Sequence, residues 1–253
     1  LITRFGDYAW NVELGWRYML GSEALPAAVY LLALFFIPES PRGLSRNNRP
    51  LEATDILRRF MSLKDADKEI KAVSKTAQTR KIDWRALLNA KNLPILLIGA
   101  AVSFFQQTTG INAFIYYAPE IFRGLGQGFE SSMLQTVILG AVNLIFTILA
   151  IYGIDRWGRK PLLLCGSGLA SICLLAMAYG QYFNAFSPAV SLFFVLMFIA
   201  AFAFSLGPVT WVLLSEIFPN QLRSYGIALA VFVQWVTNFI VSQTFPIMLE
   251  NPW

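Results

Sequence analysis

Histidine is absent from the 253 residues. With it go Ser-His nucleophile pairs, HExxH zinc sites and imidazole proton relays. Cysteine is nearly absent. Cys165 and Cys173 stand roughly 12 Å apart along one helical stretch, too far to bridge. Charge is scarce as well: 14% of residues are Asp, Glu, Lys or Arg, against about 25% in soluble domains. No pair of groups suited to acid–base or nucleophilic catalysis stands at any depth, so an enzyme is not expected, and neither is a metal or a cofactor. The net charge of +5 requires no nucleic acid to explain it, because the basic residues have another use.

What is abundant is apolar surface. Hydrophobic residues make up 56% of the chain and aromatic ones 15%, a membrane composition. The apolar runs are Tyr18–Pro38, Leu93–Phe122, Ser132–Ile154, Pro161–Phe183, Pro188–Pro219 and Tyr225–Leu249. Each reaches the ~20 residues of a transmembrane helix, so six spans are expected in an all-α membrane protein. Thirteen of the twenty basic residues fall between Arg42 and Lys91. Arg156, Arg159 and Lys160 follow the third span and Arg223 the fifth, whereas the connection at 184–187 is uncharged. Basic loops alternate with non-basic ones, which places residues 42–92 on the cytoplasmic side. The first residue is Leu1 and "LITRF" reads like the end of an earlier helix, so a partial chain is expected.

Residues 42–92 read as a helical insert. "RPLEATDILRRFM" sets Ala53, Ile56, Leu57 and Phe60 at helical spacing behind Pro50, which suits a first helical position. A second helix is expected over "KDADKEIKAVSKTAQ" with Ile70, Val73 and Ala77 on one stripe, and a third behind Asp83. A solvated linker and a pad packed beneath a moving bundle both fit.

Polar groups in the spans point to function. Gln106, Gln107, Asn112, Asn143, Gln234 and Asn238 all fall near mid-span. A buried amide without a partner is costly, so membrane carboxamides either bond another helix or line a wet cavity. Six at one depth favour a cavity, and Gln234 and Asn238, four apart, share a helix face. Trp211 and Trp235 also lie deep, away from the interfacial belt where membrane tryptophans gather. Amides that donate and accept in fixed directions, beside flat indoles, suit a polyhydroxylated ring. No full charge lies at that depth, which argues against an ionic substrate.

Helix breakers fall in matching places: Gly110 interrupts the second span and Gly207–Pro208 the fifth, the pattern of a transporter site. The fourth span reads as support, with Gly166, Gly168, Ala170 and Ser171 allowing close approach. At the inner edge, "DRWGRKPL" and "SEIFPNQLR" carry Asp155, Arg156, Arg159, Glu216 and Arg223. These charges either anchor helix ends or form an ion-pair cluster that closes one side of a carrier.

"PESPR", "QQTTGINAFIYYAPEIF", "DRWGRKPL" and "GPVTWVLLSEIFPNQLR", in this order, resemble the signatures of the sugar porter family of major facilitator transporters. The resemblance implies a twelve-helix fold of which this chain holds helices six to eleven. Residues 1–41 would carry the end of helix five, an outer loop and helix six; 42–92 the insert; and 93–253 helices seven to eleven. It implies a sugar site of Gln106, Gln107, Asn112, Tyr116, Asn143, Trp211, Gln234 and Trp235, Tyr116 being the family's addition. It also implies an inner gate in which Arg159 meets Glu216. The expected function is secondary transport of a neutral monosaccharide, a xylose-like pentose or a hexose, across the plasma membrane, with protons as the coupling ion. A facilitative uniporter and a sugar-binding protein that moves nothing are the alternatives.

Overall fold

The computed structural model describes residues 10–46, 49–59, 61–62, 65, 89–125, 128–219 and 222–250. Every regular element among them is a helix. Residues 1–81 and 82–253 form two compact units, taken in turn.

In the first unit a π-helical turn, Asn11–Gly15, leads into α1 (Trp16–Ser22) and α2 (Ala24–Leu34). The run expected as one span, Tyr18–Pro38, is thus divided at Glu23. Pro26 explains the division. As the third residue of α2 it lacks an N–H and its ring crowds the carbonyl of Ser22, so the helix gives way one turn earlier. Ser22 Oγ turns back to the Met19 carbonyl at 2.6 Å. The helix also stops at Leu34, leaving Phe35, Phe36 and Ile37 outside it. Neither α1 nor α2 buries a residue, and a helix apolar all round is one that lipid accepts. After α3 (Pro41–Arg46), α4 (Pro50–Arg58) begins on Pro50 as expected. Leu44 and Ala53 are the residues buried where α3 meets α4. Arg49 clasps Glu52 with two bonds of 2.7 and 2.6 Å, which raises its pKa above the usual arginine value. Phe60 and the second and third insert helices lie outside the described residues.

The second unit holds α5 (Leu93–Thr108), α6 (Ile111–Tyr116), α7 (Ala118–Gly124), α8 (Phe129–Trp157), α9 (Arg159–Tyr182), α10 (Pro188–Phe204), α11 (Leu206–Ile217) and α12 (Arg223–Glu250). Five segments of the described chain are long and apolar enough to cross a membrane, not six: Leu93–Tyr116, Ser131–Trp157, Arg159–Tyr182, Pro188–Ile217 and Arg223–Met248. α10 packs against α8 and α9, α12 against α5, and α11 touches both groups. The larger core gathers Phe122, Leu139, Ala170, Cys173, Val195, Phe198, Ile199 and Phe202. Lipid is as apolar as leucine, so fit rather than the hydrophobic effect holds these helices together. Fit is closest at glycine. Gly166 on α9 lies against buried Ser205, while Gly168 has nothing within 4 Å; the expected stripe therefore runs through Gly166, Ala170 and Cys173 instead. The Phe218 ring fills the space a Cβ would need at both Gly99 and Gly226.

Two breaks and one internal proline shape the unit. Gly110 adopts φ 79°, the left-handed region where glycine pays no steric penalty, and separates α5 from α6. The second break falls at Ser205 (φ −131°, ψ −84°), two residues before the expected Gly207–Pro208. The same proline rule applies. Pro208 is tolerated as the third residue of α11, where N–H groups lack helical partners, and the preceding turn yields instead. Pro246 lies inside α12 and frees the carbonyl of Ser242 four residues back. Tyr117 fills that vacancy, its hydroxyl donating to Ser242 O at 3.3 Å.

Candidate functional site

The two breaks bring the polar residues together. Ending α5 just past Gln106 and Gln107, and starting α6 on Ile111, sets Asn112 beside α12. Gln234 Nε2 donates to Gln106 Oε1 at 2.7 Å. Gln106 Nε2 in turn donates to the Leu206 carbonyl at 2.9 Å. That amide ties α12, α5 and the broken start of α11 into one chain of bonds. One turn along, Asn112 Nδ2 donates to Gln107 Oε1 and to Asn238 Oδ1, both at 2.9 Å. Asn238 Oδ1 also accepts from Ser242 Oγ at 3.2 Å. Gln106, Gln107, Gln234 and Asn238 are buried.

Three expected aromatic residues take a different position. Tyr116, Trp211 and Trp235 are 54%, 46% and 58% exposed, so they are not packed into the buried amide cluster. Asn143, half-buried on α8, stands apart from the network; its backbone carbonyl accepts from Thr147 Oγ1 at 2.7 Å. Tyr117 and Ser242 were not foreseen as part of this cluster. The usable signal was Pro246, whose missing N–H marks Ser242 O as an acceptor in need of a donor.

Among the described residues no carboxylate, lysine or arginine takes part in these bonds, and the Tyr117 phenol only donates to a backbone carbonyl. Carboxamides can donate and accept but cannot change charge. The arrangement suits recognition of hydroxyl groups, not proton transfer.

At the other end of the spans, Arg159 and Glu216 meet as a bidentate pair. Arg159 Nη2 lies 2.7 Å from Glu216 Oε1 and Nε 3.1 Å from Oε2. Nη1 also donates to the Ile154 carbonyl at 3.2 Å, near the C-terminus of α8, where a cation is favoured. Asp155 Oδ1 is 3.9 Å from Nη2. Arg156 and Arg223 form no ion pair with an acid among the described residues, and Arg223 Nε is buried without a partner there. The Arg159 and Glu216 side chains are 33% and 46% exposed, so solvent screens the pair and its contribution is ~1 kcal/mol or less. Glu216→Gln is accordingly expected to lower the unfolding midpoint by no more than about 3 °C, while opening the ends of α9 and α11 that carry the pair. Fluorescence between labels on those ends measures this, and an unchanged distance refutes a closing role.

A profile described as "Sugar (and other) transporter" matches residues 2–253. The D-xylose-proton symporter of Escherichia coli (strain K12) is 42% identical over 253 residues, covering 100% of this chain and 51% of that protein. The glucose facilitated diffusion protein of Zymomonas mobilis is 35% identical over 252 residues, covering 100% and 53%. Among solved structures, the proton:xylose symporter XylE of the major facilitator superfamily, bound to 6-bromo-6-deoxy-D-glucose, superposes with a TM-score of 0.82 at 40% identity, covering 100% of this chain and 53% of that one. The chain spans about half the length of the curated relatives it matches. Matched by the profile over nearly its whole length and sharing its helical fold with a solved relative, the chain belongs to the sugar (and other) transporter family.

Proposed function

We propose that this chain is half of a secondary carrier that moves a neutral monosaccharide, a xylose-like pentose or a hexose, across the plasma membrane by alternating access. The observation that carries this reading is the buried carboxamide network on α5, α6 and α12, whose helices α6 and α12 also carry the half-exposed Tyr116 and Trp235. Amide donors and acceptors match sugar hydroxyls, and indole faces match the C–H faces of the ring. The site comprises Gln106, Gln107, Asn112, Tyr116, Asn143, Trp211, Gln234 and Trp235. Asp155, Arg156, Arg159, Glu216 and Arg223 make up the inner gate. Residues 42–92 face the cytoplasm, by their basic charge, and join residues 1–41 to the bundle of 93–253.

Gln107→Ala and Trp211→Ala in the full-length protein are expected to weaken sugar binding about tenfold or more, since each removes a direct contact, without loss of expression. Equilibrium binding by calorimetry checks this, and unchanged affinity in both variants removes the site assignment.

Proton symport is the proposed mode, with the coupling group outside the carboxamide cluster. Facilitated uniport is the second mode, and relatives of both kinds match the chain. Sugar accumulation that collapses on addition of an uncoupler supports symport. Uptake indifferent to the uncoupler supports the uniporter, and binding without counterflow in proteoliposomes displaces both.

A further inference from the structure

Hydroxyls within the helices of the second unit mostly turn back on their own backbone. Thr136, Thr147, Thr237 and Thr244 each donate to the carbonyl four residues earlier, as do Ser171 and Ser205. Ser103 on α5 and Thr210 on α11 do not. Both are fully buried, and neither hydroxyl has a hydrogen-bond partner among the described residues. A polar group in that condition forfeits its solvation without return.

Contacts above and below set these two residues opposite each other. On one side, Gln106 of α5 bonds the Leu206 carbonyl of α11 at 2.9 Å. On the other, a Cβ built on Gly99 of α5 would meet Leu214 of α11 at 3.5 Å. Ser103 follows Gly99 by four residues and precedes Gln106 by three; Thr210 follows Leu206 by four and precedes Leu214 by four. Helical periodicity therefore keeps both on the facing sides of α5 and α11, at one level. A third unpartnered oxygen belongs to the residue bonded to Gln106, one turn from Ser103 on α5. Gln234 of α12, held to Gln106 by its Nε2, has its Oε1 buried and without a partner among the described residues.

The chemistry of the three selects the ligand. Two hydroxyl protons need acceptors and one amide oxygen needs a donor. A cation would satisfy oxygens and leave the protons unmatched. A water molecule both accepts and donates, and buried waters commonly make about three hydrogen bonds. We propose that one water molecule is bound where α5, α11 and α12 meet, accepting from Ser103 and Thr210 and donating to Gln234 Oε1. The site is independent of any sugar. It makes the seam between α5 and the broken helix α11 a wet one, and it fixes which way the Gln234 amide faces.

The test is a stability series on the purified full-length protein together with a density map fine enough to show ordered water. Thr210→Val keeps the shape of threonine and removes only the hydroxyl. Loss of the bound water is expected to lower the unfolding midpoint by about 2–4 °C, and Ser103→Ala to do the same. The double variant should fall no further than either single one, since both remove the same water. The map should show a solvent peak within bonding distance of both hydroxyls. A midpoint unchanged or raised by Thr210→Val, the behaviour of a hydroxyl with no partner to lose, overturns the proposal. So does a map in which Ser103 and Thr210 bond each other directly. Should the variants fail to express, the wild-type map decides alone.

Discussion

Gly166→Ala is expected to remove most of the folded protein, although it adds one methyl group. The new Cβ would fall on the side chain of Ser205 and within 3.2 Å of the Ala201 carbonyl. Ser205 cannot swing aside. It is fully buried, its hydroxyl is bonded to Ala201 O at 2.7 Å, and its backbone already sits outside the helical region at the α10–α11 break. The helices themselves must part, and overpacking of that kind costs about 3 kcal/mol or more. Ser205→Gly in the same chain should restore at least half of the loss by clearing both atoms. Gly168→Ala, two residues away and open to a depth of 4 Å, should instead stabilise by about 0.5–1 kcal/mol through helix propensity. Size-exclusion yield and unfolding midpoint read all three. Equal behaviour of the Gly166 and Gly168 variants would show that the α9–α11 contact is not tight.

Asn112→Asp is expected to be the most damaging conservative change at the site. Asn112 uses one nitrogen to serve two acceptors, Gln107 Oε1 and Asn238 Oδ1, each at 2.9 Å. An aspartate of the same shape has no N–H and sets an anion against both oxygens. Gln107 Oε1 loses its donor and Asn238 Oδ1 keeps only Ser242 Oγ; an acceptor stranded in a buried place costs about 1–3 kcal/mol and the facing anion adds to it, so sugar affinity should fall by about a hundredfold or more. Asn112→Ala strands Gln107 Oε1 as well but admits solvent and adds no anion, and should fall about tenfold to a hundredfold. The ordering separates a hydrogen-bonding role from a filling one. If alanine proved worse than aspartate, bulk rather than the N–H group would be what the site requires.

Much of this arrangement was legible in the sequence because it follows from one-residue rules. Gly110 marked an interruption of the second span, and the carboxamides could be placed at one depth by counting from span ends. The α11 break shows where such counting slips. The sequence pointed to Pro208 itself, but a proline is harmless in a first turn and injures the turn before it, so the chain yields at Ser205. Pro26 divides the first expected span by the same rule, which hydropathy alone does not register. Partners were not legible at all. That Gln106 spends its amide on Gln234 and on the Leu206 carbonyl, or that Tyr117 serves a carbonyl freed by Pro246, depends on helix register, which periodicity within one helix does not set. Arg159 and Glu216 were paired through family resemblance, not through spacing.

The bonds of Gln106 have a kinetic meaning. Each end of its amide already holds a partner within the protein, so an incoming hydroxyl that takes the place of Gln234 or of the Leu206 carbonyl exchanges one hydrogen bond for another. Exchange of this sort is nearly isoenergetic, because what is gained from the guest is lost from the host. On the carrier reading that is an advantage: a site that grips tightly would load well and unload slowly, and turnover would be limited by escape. A pre-satisfied amide yields modest affinity with fast release on either side of the membrane, and it leaves no orphaned group behind when the guest departs.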